Sequence, residues 1–245
     1  MKYKGPMSFE KLKIKLYCDG AYKEEILKYN RDPEVAGMTT NPSLMKKAGV
    51  SDYVSFCKEV LKDVTEKPIS FEVFADDIPE MARQARLIAP WGKNVYVKIP
   101  ILNTKGESTV NLIRELLHEG IKINVTAILT EEQIAETVKA VAGKTPSILS
   151  FFAGRMADTG RDPVPLAKKA VALAKEHAPA CDVLWASTRE VFNLVEADRA
   201  GCQIITVPGA ILEKYRDMRT KSLHEVSLDT VKTFKKDSDS AAYKL

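Results

Sequence analysis

The chain is expected to fold as an α/β protein, a (β/α)8 TIM barrel in a single domain with one additional C-terminal helix. Three observations carry this expectation. Short β-branched runs alternate with longer amphipathic ones along the chain. Eight strand candidates can be read, and most are near-continuously apolar, as parallel strands covered on both faces must be. The length of 245 residues matches the roughly 250 that eight strand–helix repeats usually need.

In chain order, the first strand is KIKLYCD (13–19) and the second VAGMTT (35–40). The amphipathic SDYVSFCKEVLKDV (51–64) then leads to ISFEVF (69–74), and IPEMARQARLIA (78–89) to NVYVKIP (94–100), which Pro100 terminates. STVNLIRELLHEG (108–120) precedes IKINVTAIL (121–129), and EEQIAETVKAVAG (131–143) precedes PSILSFFA (146–153). VPLAKKAVALAKEHA (164–178), CDVLWAS (181–187), TREVFNLVEADRAG (188–201) and CQIITVP (202–208) complete the repeats. Apolar residues in the helical segments recur three and four apart, and Gly120, Gly143 and Gly201 stand where a helix end favours a left-handed residue. A doubly wound open sheet is the alternative, but it normally announces itself by a glycine-rich first turn. Neither G-x-G-x-x-G nor G-x-x-x-x-G-K-[ST] occurs.

Residues 1–12 read as a leader, 13–220 as the catalytic barrel and 221–245 as a helical tail. In the tail, LHEVSLDTVKTFKKD places Leu223, Val226, Val231 and Phe234 on one helix face, a surface for docking on the barrel itself or on a neighbouring subunit.

Composition narrows the function. The net charge of +4, from 37 basic and 33 acidic residues spread along the chain, offers no basic run that would track a nucleic acid. Apolar runs are strand-length, too short to span a bilayer, and the N-terminus lacks the apolar segment of a secretion signal, so a cytoplasmic location is expected. Cys18, Cys57, Cys181 and Cys202 have neither C-x-x-C spacing nor a nearby histidine pair, and read as buried thiols. His118, His177 and His224 are too widely separated for a metal motif. No zinc or redox site is expected.

In a barrel of this kind, the C-terminal strand ends open on one face where the chemistry is kept. The polar residues at those ends are Asp19; Thr39, Thr40 and Asn41; Glu72; Lys98; Asn124 and Thr126; Ser150 and Arg155; Ser187 and Arg189. Lys98 lies among Val95, Val97 and Ile99, and an ammonium in such a strand is costly unless paired. It either attacks a carbonyl as a neutral amine to form an iminium ion, or makes a buried ion pair with Glu72 or Asp19 and does nothing else. Alternation places Glu72 on the same inward face as Ser70, opposite Phe71 and Val73, where a carboxylate near Lys98 is suited to shuttling protons. Asp76 and Asp77 read as loop and N-cap residues. Arg155, Ser187 and Arg189 form either an anion grip or surface salt bridges.

These residues stand in motifs that resemble the transaldolase family, especially its short members grouped with the fructose-6-phosphate aldolases. The marks are LYCDGA (16–21), GMTTNPSL (37–44), VYVKIP (95–100), INVTAIL (123–129), LSFFAGRMAD (149–158), WASTRE (185–190) and GCQIITVP (201–208), in the family's order. The resemblance implies Schiff-base chemistry without metal or cofactor, on sugar phosphates of carbohydrate metabolism such as those of the pentose phosphate pathway. It makes Lys98 the amine that condenses with a ketose C2 carbonyl, and Asp19 the base that takes the C4 hydroxyl proton. It makes Glu72 and Thr126 the pair that hold a water for proton transfers. Asn41 and Ser150 match groups that bind the dihydroxyacetone unit, with Asn124 and Thr39 alongside, and Arg155, Ser187 and Arg189 match the phosphate grip.

Two positions separate transfer from simple cleavage. The resembling aldolases carry glutamine at the place of Glu72 and tyrosine at the place of Phe152, so the residues here follow the transaldolase pattern. The competing expectations are an aldolase releasing free dihydroxyacetone and an inactive sugar-phosphate-binding barrel. Departures from the family's pattern at Gly20, Phe151, Ala153 and Thr188 gather around the mouth and leave a sulfonated or otherwise modified sugar open. The resemblance also implies a homo-oligomer, a pentamer or decamer, with the C-terminal helix packing on a neighbour.

Overall fold

The computed structural model describes residue 9 and residues 12–241. Eight parallel strands close into one barrel in sequence order: β1 (Lys15–Asp19), β2 (Val35–Thr39), β3 (Ile69–Glu72), β4 (Val95–Pro100), β5 (Ile123–Ile128), β6 (Ser147–Phe151), β7 (Cys181–Trp185) and β8 (Ile204–Pro208). β8 pairs with β1, so no strand edge is left open. Around the barrel run α1 (Lys23–Asn30), α2 (Pro42–Lys47), α3 (Tyr53–Leu61), α4 (Ile78–Ile88), α5 (Val110–His118) and α6 (Glu131–Ala140). They are followed by α7 (Ala153–Ala157), α8 (Val164–His177), α9 (Asn193–Ala200), α10 (Gly209–Met218) and α11 (Leu223–Ser240).

The two faces of each strand go to different places because side chains alternate across a strand. Outward residues such as Ile69, Phe71, Val97, Ile99, Val125, Leu149 and Val183 join one cluster with the helices' apolar faces. That cluster is the main core. Inside the barrel, Tyr17, Ile148, Leu184 and Ile204 form a second, smaller cluster with Tyr96 packed on it. Above this apolar plug the inward positions become polar: Ser70, Asn124 and Ser150, then Asp19, Thr39, Glu72, Lys98, Thr126 and Thr206. The barrel is therefore stoppered at one end and open to chemistry at the other.

Several expectations are corrected. Gly120 and Gly201 adopt φ values of 82° and 83° and close α5 and α9, with Ile121 N–H bonding Leu116 O and Cys202 N–H bonding Ala197 O, both at 3.0 Å. Gly143 does not. α6 stops at Ala140 with Val141 as its cap, and Gly143 lies beyond it in a tight turn donating to Val141 O, with no positive φ. The helix expected from Thr188 begins instead at Asn193, because the Asn193 side chain accepts from the Arg189 and Glu190 amides and holds that stretch as a loop. Asp77 caps α4 as expected, and Asp76 accepts from the Thr104 amide and hydroxyl.

Apart from Phe9 and Leu12, the leader expected over residues 1–12 lies outside the described residues, as do residues 242–245. Phe9 packs edge-on against Tyr215 of α10, with ring centroids 5.2 Å apart. α11 opens with a Ser222–Glu225 capping box and buries no residue, so its apolar face does not dock on its own barrel. Leu223, Leu228, Val231 and Phe234 are all exposed on it. All four cysteines are free and buried, and burial pushes the thiols of Cys57, Cys181 and Cys202 up to about 12.

Candidate active site

A cavity of about 540 Å³ opens at the C-terminal end of the barrel. On its wall, Lys98 and Glu72 are register partners on neighbouring strands, and their charged atoms lie 3.0 Å apart. Lys98 is 5% exposed, and its ammonium also donates to the Thr40 carbonyl at 3.1 Å. One ion pair and one hydrogen bond thus offset the cost of taking the charge out of water. The Glu72 backbone is pinned in turn by the Tyr53 hydroxyl, 2.7 Å from its carbonyl. The arrangement satisfies the ion-pair reading of Lys98, and it also holds the amine at the cavity wall as the chemical reading requires.

Asp19 ends β1 directly opposite Thr39 on β2. The Thr39 hydroxyl donates to the Asp19 carboxylate at 2.8 Å and lies 2.5 Å from the Thr206 hydroxyl on β8. Burial pushes the Asp19 carboxyl above the usual range, and the Lys98 ammonium and the Thr39 hydrogen bond pull it partly back. A carboxyl displaced in that direction is suited to taking and returning a proton.

Thr126 reaches the cavity through a local break in β5. The pairing of β5 with β6 slips between Val125 and Ile128, and Ala127 adopts φ 61°. A bulge of this kind re-aims a side chain at a barrel rim, at a strain of about 1–2 kcal/mol for a non-glycine residue. The Thr126 hydroxyl is buried, belongs to a residue that lines the cavity and has no hydrogen-bond partner among the described residues, so it is available to substrate or water. Beneath the cavity, Ser150 donates to Asn124 at 2.7 Å and Asn124 donates to Ser70 at 2.9 Å. Ser150 lines the cavity, whereas Asn124 is fully buried behind it and acts on the site by orienting Ser150.

The opposite rim is cationic. Arg155 of α7 stacks over Phe152 at 5.5 Å. Arg189 is forked onto Asp158, with bonds of 2.7 and 3.2 Å, and also reaches the Ser187 carbonyl at 3.2 Å. The two guanidinium groups thus differ: one is oriented by a carboxylate and the other rests on a ring. Ser187 has φ 65°, and a Cβ added to Gly154 would stand 1.6 Å from its carbonyl oxygen. That close approach brings the loop bearing Ser187 and Arg189 against the helix bearing Arg155. Asn41 lies at the cavity wall as the N-cap of α2, its side chain accepting from the Leu44 amide.

Of the thirteen residues singled out from the sequence, eleven line this one cavity, Asn124 sits beneath it, and Thr40 is fully buried, meeting the site through its carbonyl on Lys98. Thr206, Asp158, Tyr53 and Gly154 are not singled out by the sequence, whereas Thr188, expected near the mouth, lines the cavity. Thr188 donates to the Thr206 carbonyl at 2.7 Å. A threonine in the same strand-end position as Lys98 was the available signal for Thr206; none existed for the Asp158–Arg189 pairing across 31 residues. Among the described residues, no group of three or more His, Cys, Asp and Glu side chains is placed to hold a metal ion.

Comparison with known proteins identifies the family. Residues 16–245 match the model of the transaldolase/fructose-6-phosphate aldolase family. A protein of Dehalococcoides mccartyi named as a probable transaldolase is 36% identical over 81% of this chain and 88% of its own. Another, from Thermoanaerobacter sp., is 32% identical over 95% of this chain and 100% of its own. A third, from Methanococcus maripaludis, is 35% identical over 82% of this chain and 89% of its own. Among solved structures, a protein from Coccidioides immitis assigned to the dihydrodipicolinate synthase family superposes with TM-score 0.54 at 13% identity, covering 80% of this chain and 66% of that one, and shares the fold. The chain belongs to the transaldolase/fructose-6-phosphate aldolase family and is an enzyme of the transaldolase kind.

Proposed function

We propose that the protein transfers a dihydroxyacetone unit from a ketose phosphate such as fructose 6-phosphate to an aldose phosphate such as erythrose 4-phosphate, through a Schiff base on Lys98. The observation that carries this is the buried Lys98 amine at the wall of a cavity that also holds the carboxyl groups of Glu72 and Asp19 and, on its far rim, Arg155 and Arg189. One cavity thus offers an amine for a carbonyl and guanidinium groups for an anion.

Lys98 gives its proton to Glu72 and attacks C2, and loss of water leaves the iminium. Glu72 and the unpartnered Thr126 hydroxyl serve the proton transfers of that dehydration and its reversal. Asp19 removes the C4 hydroxyl proton, the C3–C4 electron pair moves toward the iminium nitrogen, and an aldose leaves. The enamine on Lys98 then attacks the acceptor's aldehyde carbon, Asp19 returns its proton to the new hydroxyl, and water releases the product ketose. Phe152 lines this cavity without a hydroxyl to protonate the enamine, which favours its survival until an acceptor arrives. Ser187, Arg155 and Arg189 hold the sugar's anionic end.

We further propose that copies of the chain assemble into a ring of five, or two such rings, through α11. Its exposed Leu223, Leu228, Val231 and Phe234, with Phe234 67% exposed, form an apolar stripe suited to a neighbouring copy. Among the described residues, no helix is long and apolar enough to cross a membrane, in keeping with the cytoplasmic location proposed here. The activity is tested by incubating the protein with fructose 6-phosphate with and without erythrose 4-phosphate. Sedoheptulose 7-phosphate and glyceraldehyde 3-phosphate in equal amounts are the expected products. Free dihydroxyacetone accumulating without acceptor indicates an aldolase instead. Deleting residues after Leu223 lowers the mass seen in light scattering if α11 bridges subunits, and leaves it unchanged otherwise.

A further inference from the structure

Asp19 does not meet Thr39 alone. Thr39 uses its one hydroxyl proton on the Asp19 carboxylate, which accepts only. The contact between Thr39 and Thr206 must then run the other way, with Thr206 donating to the Thr39 oxygen. Thr206 is 4% exposed and Thr39 is 2% exposed, and both line the cavity. The two hydroxyls form a directed chain from β8 across β2 to β1.

We infer that Thr206 is a positioning residue for the reaction, holding the Thr39 hydroxyl as a donor to Asp19 and so offsetting part of the cost that burial puts on the carboxylate form of the base. This rests on the role of Asp19 proposed above. The chain is not symmetric between the two protonation states. With Asp19 ionised, both hydroxyl protons are used. With Asp19 protonated, its proton satisfies Thr39, Thr39 turns toward Thr206, and the Thr206 hydrogen has no acceptor among the described residues other than Thr39. That reversal takes from Thr206 its hydrogen-bond acceptor among the described residues, so the chain of donors as it stands matches the carboxylate form of Asp19. Thr206 is itself held from the loop side, because Thr188 donates to its backbone carbonyl at 2.7 Å.

Other charges around Asp19 do not duplicate this effect. Lys98 faces it from β4 and is shared with Glu72 of β3. Glu25 of α1 lies on the other side of β1, near Cys18, and Arg155 and Arg189 stand at the cavity rim. None of these groups makes a hydrogen bond to Asp19; Thr39 makes the direct one.

The test compares Thr206→Val and Thr206→Ser with the natural enzyme in the pH dependence of kcat/KM, using fructose 6-phosphate and erythrose 4-phosphate. T206V is expected to move the acidic limb upward by about half a pH unit to one unit, the size of one hydrogen bond on the proton affinity of a carboxyl. T206S, which keeps the hydroxyl, is expected to restore the natural limb. Borohydride trapping of the ketose on Lys98 should be undiminished in both variants. A T206V limb superimposed on that of the natural enzyme overturns the inference, as does a T206S limb displaced as far as that of T206V. If T206V does not fold, T206A is read in its place by the same criteria. Loss of activity in Asp19→Asn together with an unmoved T206V limb refutes Thr206 alone. An active Asp19→Asn refutes the underlying role of Asp19.

Discussion

On β4, Val95, Val97 and Ile99 point outward into the helix ring, while Tyr96 and Lys98 point into the barrel. On β3, Ile69 and Phe71 likewise face out, and Ser70 and Glu72 face in. The outward faces are apolar and close-packed. The inward faces change from apolar to charged along the barrel axis, from Tyr17 and Ile204 at the stoppered end to Lys98 and Asp19 at the open one. One set of strands thus carries stability on one side and reactivity on the other, and substitutions on the two sides should separate in what they damage.

The largest effect is expected from Lys98→Met, which removes the amine while keeping a linear side chain: turnover should fall to background in a steady-state assay. Asp19→Asn should lower kcat by about 10²–10⁴-fold, the usual contribution of a general base. It should also sharpen the contrast by stabilising the protein. Because the folded-state carboxyl is pushed above its unfolded value, the fold favours the protonated form. The ionised form therefore costs stability, a cost absent below the unfolded carboxyl range and fully present above the folded one. Thermal unfolding of D19N at neutral pH should lie above that of the natural protein, and the difference should vanish in acid.

An outward substitution should behave in the opposite way. Ile69→Ala is expected to cost about 2–5 kcal/mol in urea unfolding while leaving the kcat/KM of the folded protein within about twofold. Gly154→Ala tests the cationic rim. Its new methyl would collide with the Ser187 carbonyl and displace Ser187 and Arg189, raising KM for the phosphorylated substrate severalfold while Lys98 still traps the ketose. The smallest effect belongs to Ile99→Val, next to Lys98 in sequence but on the other face. It should cost about 0.5–1.5 kcal/mol of stability and change turnover little.

What could be read from the sequence follows the same division. All eight strands were legible because apolar residues recur with a strand's period, and Lys98 and Glu72 were legible because charges interrupt apolar strands. Positions that depend on backbone shape were not. Ala127 and Ser187 take left-handed φ values without the glycine or asparagine that usually marks them. Gly143 gave the opposite error, a glycine one residue too late to close its helix. Contacts between distant segments were also hidden: Asp158 with Arg189, and Thr206 with Thr39, pair residues whose sequence separation carries no periodic signal.

The central claim is that Lys98 becomes covalently bonded to the ketose. Borohydride reduction in the presence of fructose 6-phosphate, followed by peptide mass analysis, reads this directly. A reduced dihydroxyacetone or hexose adduct on Lys98, absent in K98M, is the predicted result; an adduct on a different lysine, or a turning-over enzyme with Lys98 unmodified, contradicts it.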